Sequence, residues 1–438
     1  MFKVGFYEKE ITPPLGSHIP GYFNERPGSD VKDRLYAKAM VVDNGKEKVA
    51  IIAVDGCSMN NDCVAMVKDR VTEFIGIKPE NILFAYTHTH TGIPRYNFSK
   101  SERTDKNQEY YWEVFSKLMA DCAILAYYRL AESELYFGKG EVVGISFCRD
   151  YLMKNGTPQT NPPRCSEDII GPAGETDNSL PVLFVKDAQG TPKGALISFA
   201  CHPDCVSGTE YTGDYISILS KELKKTYGEE FVTVFLQGTS GNINHFDVSK
   251  ESDAPDHYVM MGKLIAGEAL KVIAKAEKVE DDTLISKLET VNYKRMEIPE
   301  EKIAKAKHVI ETVKEIEGVK IAADGSDPDQ YALAMSKKLI DFLENSPDSY
   351  DVPLQFIKIG DVKLYIFHSE IFCTYGLNIR AKAGTEKCFV TTLGNGSYGY
   401  LPTSDLIYDT IYESRPGTFR FNPETGNQMV EKLLEMGK

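Results

Sequence analysis

Asn81-Ile82-Leu83-Phe84-Ala85-Tyr86-Thr87-His88-Thr89-His90-Thr91-Gly92 is the stretch on which the fold turns. Its apolar run, residues 82–86, predicts a buried strand, and Gly92 and Pro94 break the pattern just beyond the histidines. In an extended chain His88 and His90 point to the same face, so both imidazoles can look into one cavity at the mouth of a sheet. Two readings follow. Imidazole is the commonest protein ligand for zinc and a general acid or base near neutral pH; alternatively, the pair is a polar strand end with two solvated side chains.

Working outward, residues 49–54 form an apolar strand ending at Asp55, and a helix follows with Val64, Val67, Val71 and Phe74 at three-to-four spacing. Strand, helix and the His-Thr-His strand make a βαβ unit, which predicts a parallel pair with a covered face. Further strands are expected at 4–11, 36–42, 135–147, 183–185, 195–200 and 232–236. A hairpin is expected at 354–359 and 362–367 around Gly360-Asp361, and a short strand from Val390. Helices are expected at 108–128, 215–227, 257–276, 299–317, 329–343 and 428–436. The fifth long helix carries a stripe of Ile303, Ile310, Val313 and Ile316, with Pro299 at its first position. Residues 98–107 and 155–177 read as loops. The class is α/β, mixed β-sheets flanked by helices, in one large domain over residues 1–438; the polar stretch 318–330 is the only weak boundary.

The net charge of −14 on 438 residues argues against nucleic acid as a partner. Nine cysteines without regular spacing do not form a disulfide framework. No basic segment followed by an apolar one opens the chain, and no window is long enough to span a bilayer. These features lead us to expect a cytoplasmic protein with reduced thiols and a small-molecule substrate, and they leave the oligomeric state open.

Several strand ends carry residues of metal or catalytic type: His88, His90, His202 in Cys201-His202-Pro203, and Glu370 just past the hairpin. Open α/β sheets bind ligands at the carboxyl ends of their strands. Zinc hydrolases combine a few histidine and carboxylate ligands and leave one position for water. Taken singly, His202 reads as a structural histidine and Glu370 as a surface acid.

An ordered set of motifs resembles the catalytic domain of the neutral/alkaline non-lysosomal ceramidase family. The set comprises Ile11-Thr12-Pro13-Pro14-Leu15-Gly16, Asp33-Arg34-Leu35-Tyr36-Ala37, Thr87-His88-Thr89-His90-Thr91-Gly92, Phe199-Ala200-Cys201-His202-Pro203, Phe235-Leu236-Gln237, Gly241-Asn242-Ile243-Asn244, Tyr400-Leu401-Pro402-Thr403 and Tyr412-Glu413. The resemblance implies a zinc ion held by His88, His202, Glu370 and Tyr400, with His90 moving a proton. It also implies that Arg149 contacts a substrate oxygen and that Tyr412 helps stabilise an oxyanion. The implied reaction is attack of water, its pKa lowered to about 7 by zinc, on an amide or ester carbonyl, lactones included. The chain departs from the family at Asn242 and Asn244, which stand where ceramidases carry Asp and Ser. Nor does the resemblance reach the C-terminal β-sandwich that those enzymes append, which we expect to be missing here. Both departures point to a substrate smaller and more polar than ceramide. True ceramide hydrolysis and a catalytically silent binding protein are the alternatives.

Among other candidates, Cys201-His202-Pro203-Asp204-Cys205 lacks the second cysteine pair of a structural zinc knuckle. Gly238–Gly241 is not followed by the Gly-Lys-Ser/Thr of a phosphate loop. His245 and His368 read as residues beside the site, and His18, His257 and His308 as surface residues. Arg95, Lys100, Arg103, Arg149 and Arg164 are cationic residues of the surrounding loops.

Overall fold

Period-two alternation with both faces apolar explains the layering. The computed structural model describes residues 1–22, 26–59, 61–94, 106–316 and 327–438. Its principal strands are β1 (Phe2–Glu10), β2 (Tyr36–Asp43), β3 (Lys48–Val54), β4 (Ile82–Tyr86), β5 (Ala131–Glu141), β6 (Ser179–Asp187), β7 (Pro192–Phe199) and β8 (Val232–Gln237). They form one sheet in the order β8-β7-β6-β5-β1-β2-β3-β4, with Glu277–Lys278 added on β5. Neighbours along this path are antiparallel except at the two edges. There β3–β4 and β7–β8 run parallel, each pair joined through a helix: α1 (Asn61–Ile75) and α3 (Asp214–Tyr227). The expected βαβ unit is the first of these.

A second sheet joins β9 (Leu284–Lys294), β10 (Ser349–Ile359), β11 (Val362–Ile366) and β13 (Cys388–Thr391). Between β11 and β13 lies β12 (Glu370–Ile371), which pairs in parallel with β14 (Tyr400–Leu401). The alternation is plain in β3. Val49, Ile51 and Ala53 pack against Ile357, Ile359, Leu364 and Ile366 of the second sheet. Ala50, Ile52 and Val54 face Val64 and Val67 of α1 and Phe115 and Met119 of α2 (Lys106–Tyr128). On β10, Val352, Leu354 and Phe356 turn the other way, towards α7 (Cys373–Lys382) and α8 (Thr425–Met436). Together with α4 (His257–Ile273), which covers the rest of the first sheet with α3, the order is helix, sheet, sheet, helix. Each fully buried Val, Leu, Ile or Phe contributes about 1.5–3 kcal/mol.

The structure corrects several local expectations. Phe74 is 49% exposed and Ile75 faces the core instead. Residues 155–177 contain two short strands, Pro158–Thr160 and Ile169–Pro172, which flank Asp150–Met153 in a small sheet. The helix expected at 299–317 is α5 (Glu300–Thr312), shorter because Val313 is extended, and Pro299 is its N-cap. Of its residues only Ala306 is buried, and Ile316 is exposed. Its main packing partner is α6 (Pro328–Asn345), so the apolar stripe meets one helix rather than a sheet. β9 has no counterpart in the sequence reading, because its outward residues are largely polar. Residues 98–105 and most of 318–330 lie outside the described residues. Among the described residues, no helix is long and apolar enough to cross a membrane.

Candidate metal centre

The two parallel edges of the first sheet are not far apart in space: β8 packs near β2, β3 and β4, so the sheet coils and brings its ends near each other without closing into a barrel. The residues just beyond β4 and β7 thereby converge. The rings of His88 and His202 stand 4.8 Å apart between centroids, and those of His88 and His90 5.0 Å.

The two histidines of His-Thr-His do not converge by extended geometry. The strand stops at Tyr86, and His88 lies in the left-handed region at φ 69°, a conformation that costs a non-glycine residue about 1–3 kcal/mol. Tertiary hydrogen bonds hold it there. His88 N donates to Gly56 O at 2.9 Å and His90 N to Pro203 O at 3.1 Å. The intervening threonines anchor the turn, since Thr89 Oγ1 and Thr91 Oγ1 both donate to Thr212 O, at 2.9 and 3.0 Å.

Carbonyl oxygens can only accept, and this fixes the tautomers. His88 Nδ1 lies 2.8 Å from Cys57 O and His202 Nδ1 lies 3.0 Å from Ile243 O, so both Nδ1 atoms carry the proton and both Nε2 lone pairs point inward. Such outer partners orient metal-binding imidazoles. Glu370 Oε2 stands 3.0 Å from His88 Nε2 and 3.5 Å from His202 Nε2. The contact to His88 lacks hydrogen-bonding angles, and His88 Nε2 and Glu370 Oε2 are buried without a hydrogen-bond partner. Ligand atoms of His88, His202 and Glu370 all lie within 4.8 Å of one another.

Tyr400 is brought in by strand pairing, since it sits directly opposite Glu370 in the β12–β14 register. Its hydroxyl is 3.4 Å from His202 Nε2. Burial alone would raise Glu370, but the imidazoles of His88 and His202 hold it well below the usual carboxylate range. Burial opposes the charge on His88, and Glu370 outweighs it and pushes that pKa well up, so the Nε2 position facing the carboxylate attracts a positive charge, a proton or a metal ion. A pocket with this field calls for positive charge. Two oriented imidazole nitrogens, one carboxylate oxygen and a neighbouring phenol fit a divalent transition ion, zinc among them.

His90 lies at the edge of this group. Both its ring nitrogens are buried without hydrogen-bond partners, and burial pushes its pKa down to about 3. Its position is set by parts of the chain that carry no recognisable signal. Arg26 Nη2 donates to His90 O at 2.6 Å and to Pro20 O at 2.5 Å, and Tyr22 packs edge-on against the ring at 5.7 Å. Gly21, at φ +106°, passes so close that a Cβ there would meet the ring at 2.8 Å.

Arg149 engages two of its nitrogens within the protein. Its Nε pairs with Glu413, a fully buried acid, and its Nη2 donates to Gly241 O at 2.7 Å. Its guanidinium lies 5.4 Å from the centre of the Tyr400 ring. Tyr412 is edge-on to Tyr400 at 5.7 Å, and burial raises its hydroxyl pKa, with the Glu370 charge adding to the effect. Asn242 Oδ1 accepts from Cys373 N at 2.9 Å, and Asn244 Nδ2 donates to Asn161 Oδ1 at 3.0 Å. Asn244 Oδ1 is buried and unpartnered.

Sequence reasoning missed Arg26, Gly21, Cys57 and Glu413 in their supporting roles. Only Glu413 left a trace, as the neighbour of Tyr412. Of the loop cations, Arg95, Lys100 and Arg103 lie outside the described residues, and Arg164 is paired with Asp253.

Comparison with known proteins gives the family and the fold. Residues 2–250 match the family model described as neutral/alkaline non-lysosomal ceramidase, N-terminal. No curated protein matches the chain. The crystal structure of neutral ceramidase from Pseudomonas aeruginosa is 18% identical with a TM-score of 0.73, and the match covers 100% of this chain and 74% of that one. A structure described as ceramidase complexed with C2 is 19% identical with a TM-score of 0.75, over the same shares. At these identities the likeness is one of fold.

Proposed function

The chain belongs to the neutral/alkaline non-lysosomal ceramidase family, and from that premise we propose that it is a zinc-dependent hydrolase of an amide or ester, lactones included, in a small polar molecule. The observation that carries this reading is the convergence of two inward Nε2 atoms on one carboxylate oxygen, with His90 unpartnered beside them. His88, His202, Glu370 and Tyr400 would hold the ion. When bound, zinc supplies a Lewis acid and lowers the pKa of water towards neutrality.

The chain's own residues do the rest. His90, with two unpartnered ring nitrogens, takes a proton from the nucleophile and returns it to the leaving nitrogen or oxygen. The Tyr412 hydroxyl stabilises charge as it develops on the carbonyl oxygen. Arg149, held by Glu413 and 5.4 Å from the centre of the Tyr400 ring, would contact a substrate oxygen.

Asn244 supports a polar substrate: its buried Oδ1 wants a hydrogen-bond donor, and an acyl chain offers none. The family relationship favours ceramide as the second reading. Nine free cysteines support a reducing compartment; a disulfide in protein recovered from its host would end that assignment.

The test is metal analysis of the purified protein together with turnover of small esters, lactones and acyl amides against long-chain ceramide. We expect zinc, hydrolysis of a small polar substrate and poor activity on ceramide. Efficient ceramide turnover would overturn the polar substrate and leave the metal mechanism standing. Metal without any turnover would make the protein a binding module, and absence of metal at His88 would sink the mechanism.

A further inference from the structure

A second group of donor atoms lies across the turn that follows β7. Ligand atoms of Cys205, His245 and His257 lie within 4.8 Å of one another. Cys205 Sγ is also 3.4 Å from the thioether sulfur of Met261. His257 opens α4 and Met261 follows one turn later, so both present to the same side of the helix. We infer that Cys205, His245, His257 and Met261 form a second metal site, built for a thiophilic d10 ion, zinc(II) or copper(I).

The imidazoles are prepared as ligands. His257 Nε2 is 2.9 Å from His245 O, which can only accept, so its Nδ1 is left with the lone pair. His245 is more than nine-tenths buried, its Nδ1 has no hydrogen-bond partner, and its Nε2 stands 3.4 Å from Asp204 Oδ1, a buried carboxylate oxygen that makes no hydrogen bond. The Asp204 carboxylate next to the ring adds negative charge that favours a cation at His245. The two rings stand 5.1 Å apart. Two ligands about 2.3 Å from a tetrahedral ion are about 3.8 Å apart, close to the observed separation of the two sulfurs. Thiolate, thioether and two imidazoles select zinc or copper(I) and discriminate against magnesium, calcium and manganese, which prefer oxygen. The sequence hides the site because the Cys-His-Pro-Asp-Cys turn lacks a second cysteine pair. Histidines 40 and 52 residues beyond Cys205 take its place.

The site shares no ligand with the proposed hydrolytic centre, and metal stoichiometry can separate the two. The full chain, purified under reductant, is loaded with zinc and analysed by mass spectrometry beside His88→Ala and Cys205→Ser. We expect two equivalents in the parent and one in each variant. Loaded with cobalt(II), the parent and His88→Ala show a thiolate-to-cobalt charge-transfer band, and Cys205→Ser loses it. Anaerobic competition with a copper(I) chelator decides between the ions: Met261→Leu, which keeps the helix and its packing, weakens copper(I) retention and leaves zinc stoichiometry at two. A parent with one equivalent and no thiolate band, or a band that survives Cys205→Ser in protein with parental circular dichroism, overturns the site. If Cys205→Ser does not fold, His257→Ala replaces it with the same expected losses.

Discussion

One short turn after β7 contributes to two donor clusters of opposite character. Its His202 faces Glu370 and His88, a set of nitrogen and oxygen donors with a phenol at its side. Three residues on, Cys205 faces two imidazoles and a thioether. The first cluster leaves an unpartnered histidine, His90, beside it, whereas the second adds a thioether to its thiol and imidazoles and has two half-buried members, Cys205 and His257. An oxygen-bearing site with an unpartnered histidine beside it suits chemistry on a substrate, and a soft set of sulfur and nitrogen donors suits an ion that stays in place. Proximity in the chain thus says little about surroundings: the same turn contributes donors to two clusters of different chemistry.

The comparison can be broken most decisively at the ligands of the first cluster. His88→Ala or Glu370→Gln should abolish that cluster's metal and all measurable hydrolysis, while the cobalt–thiolate signature of the second cluster persists. If both signals vanish together in folded protein, the clusters are one unit and the contrast fails. His90→Ala should keep both metals and lose turnover by roughly 10²–10⁴-fold, read as kcat at saturating metal; metal loss equal to that of His88→Ala would show that His90 is a ligand.

A smaller effect is expected from Tyr412→Phe. Loss of one donor to the developing oxyanion should lower kcat by about 10²–10³-fold with metal content unchanged, and an unchanged kcat would remove Tyr412 from the reaction. The mildest variant acts on the second cluster through packing. A Cβ at Gly262 would stand 2.5 Å from Ile218 Cβ and 2.6 Å from Tyr215 O, pushing α4 away from α3. Gly262→Ala should cost about 1–3 kcal/mol in denaturant unfolding and weaken the metal held by His257 and Met261. The metal at His88 should be unaffected. Equal weakening at both clusters would show that α4 supports the first as well.

Much of this architecture is written in local pattern. The βαβ unit from Lys48 to Tyr86 follows from two apolar strands around one helical stripe, and the β10–β11 hairpin from Gly360-Asp361 between alternating runs. The positions of His88, His202 and Glu370 just past strands were legible for the same reason. Errors arose where a residue's environment is set by a distant partner. Phe74 satisfies helical spacing yet lies in solvent, where Arg70 stacks on its ring at 4.4 Å. His257 reads as a surface residue at the start of a helix until His245 is placed against it.

By itself the sequence determined the layered α/β class and the strand ends on which reactive residues sit, because apolar period and turn residues act over a few positions. Tertiary structure alone decided which of those ends meet. The coiling of the first sheet joins His88 to His202, and the register of β12 with β14 sets Tyr400 against Glu370. It also decided which nitrogen each imidazole offers, because the carbonyls of Cys57 and Ile243 that hold the protons are 31 and 41 residues away from the histidines they orient. The geometry of a ligand set is a sum of such long-range contacts, and no local pattern encodes it.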